Sequence, residues 1–365
     1  MTAGSEHVRV LMLTDSLGVG GLERVVVSMS CALAGRGHAV SVAAEPGGAL
    51  WGDLPPEVVQ RHAPRRGTPI QRVRYALWLT RLVRGGGFDV VHAHQRGVAL
   101  LARAARVATR TRVVEHVHNV FRPGAGAWLS FRGDHLVACG RAVAEMLVQD
   151  FRRPADRVTT VRNAVPDVGA GRDLTLPVSR GGQQPKIAVV ARVDEQKDPF
   201  RFIDVVEELA AVGRPVSAVW IGDGDLLQAC RAEVDRRAVP GLRFLGARSD
   251  VASQLLESDL VMLTSRWEGL PLTLLEAASL GRGLVAPRVG SCDEAVTDGV
   301  NGLLFDVDLP GAALARLVAP LLESSMLRSM GAASRRRYLA EFTIDRQVHE
   351  VEEVYRAVRA VGPSA

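Results

Sequence analysis

In the stretch SRWEGLPLTLLEAASLG, residues 265–281, two carboxylates, Glu268 and Glu276, stand with seven residues between them. Pro271 suits the first turn of a helix and Gly281 its end, so the spacing predicts a helix between them. Glu268 then lies in the loop ahead of it. Between Pro271 and Leu280 the only charged residue is Glu276, and leucine and alanine cover nearly every face, the pattern of a helix buried all round. A buried carboxylate needs hydrogen-bond donors, which a helix does not offer to a side chain in its middle, so a ligand or another loop must supply them. A solvated surface glutamate is the plainer alternative, although a solvent-facing stripe normally carries more than one polar side chain.

Arg192 and Lys197, in ARVDEQKDP, flank a loop that leaves a strand. A forked guanidinium and a point-charge ammonium together suit a diphosphate, although taken alone they read equally as surface cations. The first-turn amides at Leu272 and Thr273 would add a second, backbone anion site. Gly18, Gly20 and Gly21 permit close backbone approach, but the loop is not GxGxxG and no acidic residue follows at the spacing of a dinucleotide ribose. A nicotinamide enzyme is disfavoured. His92 and His94, like His116 and His118, stand two apart, which on a strand puts each pair on one face. No nearby cysteine or regular carboxylate spacing completes a metal site, so hydrogen-bonding roles or burial in the core are favoured and no metal is expected. Asp223 and Asp225 in GDGD read as turn residues.

The elements that must position these groups alternate. HVRVLMLTDSLGVGGLERVVVSMSCALAGRGHAVSVAA reads as strand, glycine loop, helix and strand. Further strands are predicted at FDVVHAH, TRVVEHVH and HLVAC, with helix-compatible stretches between them, which implies a parallel sheet. The alternation stops near residue 168. Residues 169–184, rich in glycine and proline, read as a linker, after which KIAVVAR, VSAVWIG, LRFLGA, DLVMLTS, GLVAP and GLLFD predict a second doubly wound domain over 185–343. The last residues, 344–365, are expected to form a helix that packs back toward the first domain, 1–168. Such a chain is α/β, with two Rossmann-like parallel-sheet domains whose strand exits face a cleft.

Composition narrows the function classes. A formal net charge of +5 with no basic run disfavours a nucleic-acid partner. The four cysteines, Cys31, Cys139, Cys230 and Cys292, are scattered and fit a reducing cytosol. No window approaches the roughly 18 apolar residues of a membrane span, so a soluble, cytoplasmic protein is expected.

Taken together these stretches resemble the GT-B glycosyltransferases of family four, the large retaining, nucleotide-sugar-dependent class, over nearly the whole chain. GGLERV followed by LAGRGHAVSV is similar to the family's amino-terminal signature, VVHAH to its third strand, and VRNAVPD to its segment before the linker. ARVDEQKDP resembles its phosphate loop, IGDGDLL and RFLGAR the strands that follow, and Glu268 with Glu276 its two-glutamate motif. The resemblance implies that Glu276 receives the ribose hydroxyls and Glu268 the hydroxyls of the donor sugar. It implies that Arg192 and Lys197 neutralise the diphosphate, joined by the helix amides and the Gly20/Gly21 loop, that Gly269, Leu270, Pro271, Leu272 and Arg248 also line the donor, and that His118 lies near the reacting sugar. Asp15, His94, Gln95 and Asn119, at strand exits of the first domain, are the acceptor-side candidates. The chain departs from the family at Ser291, where glycine is usual, at Gly283, where proline is usual, and at Ala164, where glycine is usual.

The expected activity is therefore retaining transfer of a hexosyl or N-acetylhexosaminyl group from a nucleoside-diphosphate sugar, UDP favoured over GDP, to an acceptor hydroxyl in natural-product, cell-envelope or polysaccharide synthesis. No metal or other cofactor is required. A sugar-nucleotide epimerase and a noncatalytic nucleotide-sugar-binding protein are the alternatives. The acceptor, small or lipid-linked, stays open. If RRGTPIQRVRYALWLTRLVR is helical, Arg74, Trp78 and Arg81 share a face that would suit an anionic acceptor or the inner face of a membrane, with a solvated arginine face as the plainer reading.

Overall fold

A computed structural model describes residues 7–107, 109–124, 126–175 and 184–360. The chain forms two units, Met1–Ala164 with Ile344–Ala365, and Val165–Thr343. In the first, β1 (Arg9–Leu13), α1 (Gly21–Gly35), β2 (Ala39–Ala44), β3 (Val59–His62), α2 (Pro69–Gly86), β4 (Val90–Ala93), α3 (Arg96–Ala105), β5 (Arg112–Val117), β6 (His135–Ala138), α4 (Arg141–Gln149) and β7 (Val158–Thr160) follow one another. The seven strands pair in the order β3-β2-β1-β4-β5-β6-β7, all parallel. The central strands are apolar runs because helices cover both faces of such a sheet. β3 and β7, which the sequence pattern did not show, are short edge strands, and every residue of β3 is exposed.

The second unit contains β8 (Lys186–Val190), α5 (Pro199–Ala211), β9 (Ser217–Ile221), α6 (Leu227–Arg237), β10 (Leu242–Gly246), α7 (Val251–Leu256), β11 (Leu260–Met262), α8 (Leu272–Ser279), β12 (Gly283–Pro287), α9 (Cys292–Ala295), β13 (Gly302–Phe305), α10 (Gly311–Val318) and α11 (Ser324–Glu341). Its six parallel strands run β10-β9-β8-β11-β12-β13. The order reverses direction between β1 and β4 in the first sheet and between β8 and β11 in the second. Open α/β sheets bind ligands at such switch points, outside the carboxyl ends of the strands.

The units divide at Ala164/Val165, earlier than residue 168. Asp167 belongs to the second unit because its carboxylate pairs with Arg335. Within the expected linker, the Leu174 carbonyl accepts from Arg282 Nη1 at 3.3 Å, and residues 176–183 lie outside the described residues. The last helix, α12 (Ile344–Ala360), belongs to the first unit. It buries Val348, Val351, Val354, Tyr355 and Val358, and its Glu352 takes His38 at 2.9 Å and Arg36 at 3.1 Å. The apolar residues recur at intervals of three and four, which makes one side of α12 a seam against α1.

Candidate active site

In the second unit the loop after β8 and the loop after β11 are tied into one piece. Asp194 Oδ1 accepts from the Lys197 amide at 3.1 Å and starts a short 3-10 turn, and Asp198 follows with φ +47°. Thr264 Oγ1, just past β11, donates to the Lys197 carbonyl at 2.8 Å. The Gln196 side chain bridges both loops, accepting from Arg192 Nη2 at 2.8 Å and donating to the Trp267 carbonyl at 2.8 Å. A further tie is ionic: Lys197 Nζ stands 2.5 Å from Glu268 Oε1, the lysine side chain 16% exposed and the glutamate 6%. Arg192, by contrast, is 66% exposed, with Asp194 beside it at 2.5 Å. A buried, paired lysine and a solvent-reaching arginine thus flank one loop, both at the switch point.

Glu268 is held from below by backbone. Gly290 has φ +55°, and a Cβ there would lie 1.9 Å from the Glu268 carbonyl oxygen, so no larger residue fits. The neighbouring Ser291 amide donates to the Gly269 carbonyl at 2.8 Å. Burial and the charge of Glu268 push the Cys292 thiol well above its usual range, which makes it an inert core group.

α8 begins one residue later than expected, with Pro271 as its cap and Thr273 Oγ1 donating to the Val190 carbonyl at 2.8 Å. The amides of Leu272 and Thr273, in the first turn, have no carbonyl one turn back within the helix. The helix is not buried all round. Leu274, Leu275, Ala277, Ala278 and Ser279 are inside, whereas Leu272, Thr273 and Glu276 are half-buried. These three share a face by their three- and four-residue spacing. Glu276 therefore shares a half-buried stripe with the residues of the first turn, and the expectation of full burial fails because α7, α11 and β12 leave that stripe partly open.

Arg248 is engaged elsewhere: its Nε and Nη2 grip Asp250 at 2.6 and 2.9 Å. Asp223 accepts from the Gly224 amide at 2.8 Å, which is a turn contact.

In the first unit, Gly20 caps α1 in extended backbone, and a Cβ there would meet only the carboxylate end of Glu23, which can swing aside. Folding alone does not demand glycine at that position. Gln95 Oε1 accepts from the Asp15 amide at 2.8 Å and from Thr14 Oγ1 at 3.1 Å, joining the exits of β1 and β4. Asp15 pairs with Arg66, whose amide donates to Glu45 Oε1 at 3.1 Å and whose guanidinium lies 4.8 Å from the Tyr75 ring centre. Arg66 and Glu45 were not legible in sequence, since Arg66 follows the exposed edge strand β3. Asn119 Oδ1 accepts from the next amide, at 2.9 Å.

The histidines form one stack. The register sets His92 beside Val114 and Ala93 beside Glu115, so His94 and His116 come next. Ring centres are 4.6 Å apart for His92/His94, 5.2 Å for His94/His118 and 4.2 Å for His116/His118. Burial drives all four imidazoles to the neutral form, His92 and His118 down to about 3. His94 is 2% exposed and its Nδ1 lies 3.0 Å from His118 Nε2, so it backs His118 and cannot itself touch an acceptor.

On α2 the expected face is broken. Trp78 turns toward the core beside Tyr75, at 5.6 Å between ring centres, while Arg74 and Arg81 are exposed. No helix among the described residues is long and apolar enough to cross a membrane.

The chain matches the family described as Glycosyltransferase Family 4 over residues 19–167 and that described as Glycosyl transferases group 1 over residues 184–324. It is 23% identical over 313 residues, 78% of this chain and 80% of the relative, to the UDP-Gal:alpha-D-GlcNAc-diphosphoundecaprenol alpha-1,3-galactosyltransferase of Escherichia coli. It is 38% identical to the D-inositol 3-phosphate glycosyltransferase of Salinispora arenicola over 64% of this chain and 57% of that one. Among solved structures, the Anabaena protein HepE in complex with UDP-glucose superposes with a TM-score of 0.80 at 19% identity, over 96% of this chain and 100% of that one.

Proposed function

Since the chain belongs to the GT-B glycosyltransferases of family four, we propose that it moves a hexosyl or N-acetylhexosaminyl group from UDP, with GDP as the second choice, to an acceptor hydroxyl with retention and without a metal. The observation that carries this reading is the buried Lys197–Glu268 pair, locked to the Arg192 loop and followed by the open first turn of α8. Arg192, Lys197 and the Leu272 and Thr273 amides neutralise the diphosphate, a task that other transferases give to a metal held by carboxylates. Glu276, on the same stripe as those amides, takes the ribose hydroxyls. Glu268 with the Gly269–Leu270 turn holds the sugar, and Arg248 offers only the edge of its guanidinium that Asp250 leaves.

In the transfer the bond between the anomeric carbon and the phosphate oxygen breaks while the acceptor oxygen attacks from the same face. The departing phosphate oxygen takes the acceptor's proton, and His118 positions the sugar. The acceptor is assigned to the Asp15, Gln95 and Arg66 group of the first unit, with Asn119 at the next strand exit and Gly20 and Gly21 leaving room for the donor. Relatives act on a lipid-linked diphosphate and, by name, on an inositol phosphate. Both are anionic acceptors, and the arginines of α2 suit either. Mass spectrometry of products from a panel of nucleotide sugars and acceptors tests the reading. Nucleoside diphosphate should appear only when an acceptor is supplied; isomerised donor without acceptor would indicate an epimerase, and binding without product a noncatalytic protein.

A further inference from the structure

The sheet of the first unit carries a cluster of buried imidazoles whose unpaired nitrogens take no part in the transfer. His92, His94 and His116 each offer a ring nitrogen, and these atoms all lie within 4.8 Å of one another. Nε2 of His92, Nε2 of His94 and both nitrogens of His116 are buried without a hydrogen-bond partner. A buried imidazole nitrogen left unpaired is costly, so several gathered in one cluster call for an occupant.

Their other nitrogens are already placed. His92 Nδ1 lies 2.6 Å from the hydroxyl of Tyr355, on α12, and that hydroxyl can donate onward to Met12 Sδ at 3.9 Å. His94 Nδ1 faces His118 Nε2 at 3.0 Å. With Nδ1 protonated in both rings, Nε2 presents its lone pair to the cluster, the arrangement in which an outer partner fixes the tautomer of a metal-ligating histidine. The rings are stacked, with 11–31° between the planes of His92, His94 and His116, and three neutral imidazoles turned toward one point suit a cation.

We propose that His92, His94 and His116 bind one borderline first-row cation, of the Zn2+ and Co2+ class, that clamps β4 to β5. All-imidazole donation selects such ions over Mg2+ or Ca2+, which prefer oxygen ligands. Ligation at about 2.0–2.1 Å requires nitrogens roughly 3.4 Å apart, so the rings tilt out of their stack by rotation about χ2 to close on the ion. The ion is structural. His118 stays outside its ligand set as the partner of His94, and the sugar transfer proceeds with or without it.

The test uses the full-length, untagged chain, stripped with chelator and titrated with Co2+. One equivalent should give visible bands of tetrahedral intensity and raise the melting temperature by several degrees (~5 °C), and Zn2+ should abolish the bands. His116→Asn should weaken Co2+ at least about tenfold. No bands in the wild type, or equal affinity in the variant, overturns the site. X-ray absorption at the zinc edge of the wild type decides without any variant: three imidazoles support the assignment, fewer overturn it.

Discussion

Lys197 Nζ stands 2.5 Å from Glu268 Oε1, so the cation assigned to the diphosphate is held by the carboxylate assigned to the sugar. The carboxylate competes with the phosphate for the same ammonium. Glu268→Gln should therefore tighten free nucleoside diphosphate by roughly threefold to tenfold while turnover collapses. Calorimetry beside a rate assay measures both. Weaker nucleotide binding in this variant would show that Glu268 contacts the nucleotide itself.

The same pair bears on stability. Lys197→Met leaves a buried carboxylate without its partner and should cost about 3 kcal/mol, whereas Lys197→Met with Glu268→Gln should recover most of it. Urea unfolding of the four proteins gives the coupling; additive losses would mean that the pair is solvated in solution.

Glu276 lies half-buried on the same face of α8 as Leu272 and Thr273, the face assigned to the donor. Glu276→Ala should lower nucleoside diphosphate affinity roughly tenfold to a hundredfold and leave the melting temperature near that of the wild type. Unchanged affinity would remove Glu276 from the ribose site.

Excess chelator should not stop sugar transfer, and proton NMR of the new linkage should show the anomeric configuration of the donor. Activity lost to chelator and restored by metal, or an inverted anomeric signal, would overturn the proposed mechanism. A metal-stripped chain that melts earlier yet turns over normally at low temperature would fit both the transfer and the histidine site.

At low pH the Asp167–Arg335 pair should fail. The Arg335 hydrogen bond, stronger than the opposing effect of burial, holds the Asp167 carboxyl below the usual range. A carboxyl with a lower pKa folded than unfolded contributes stability that is complete above its unfolded value, about 3.9, and is lost as pH falls through the folded one. Asp167→Asn should cost about 1–2 kcal/mol at pH 7 and progressively less as the pH falls below about 3.9, read by denaturant midpoints. An equal cost across that range would assign the effect to packing.

The fold was legible because buried parallel strands are written as apolar runs, and the glutamate and cation loops because they lie at the ends of such runs. Edge strands β3 and β7 carry no such signal, being short and, in β3, exposed. Arg66 was lost with β3. The histidine pairs were visible one strand at a time, but their union depends on the β4/β5 register, which no spacing along the chain encodes. Glu276 was placed too deep because composition counts apolar residues without saying how many neighbours a helix has. On α2, the side that Trp78 faces was decided by the core beneath it and not by the arginines on either side.

The return of α12 to the first unit reverses the order in which a ribosome can deliver finished parts. Every residue of Val165–Thr343 emerges before Glu352 and Tyr355 are available to cover His38 and His92. The amino-terminal half, made first, is sealed last. A nascent chain passes through a stage with a complete second unit and an unfinished first one, whose α1 seam is still bare of α12.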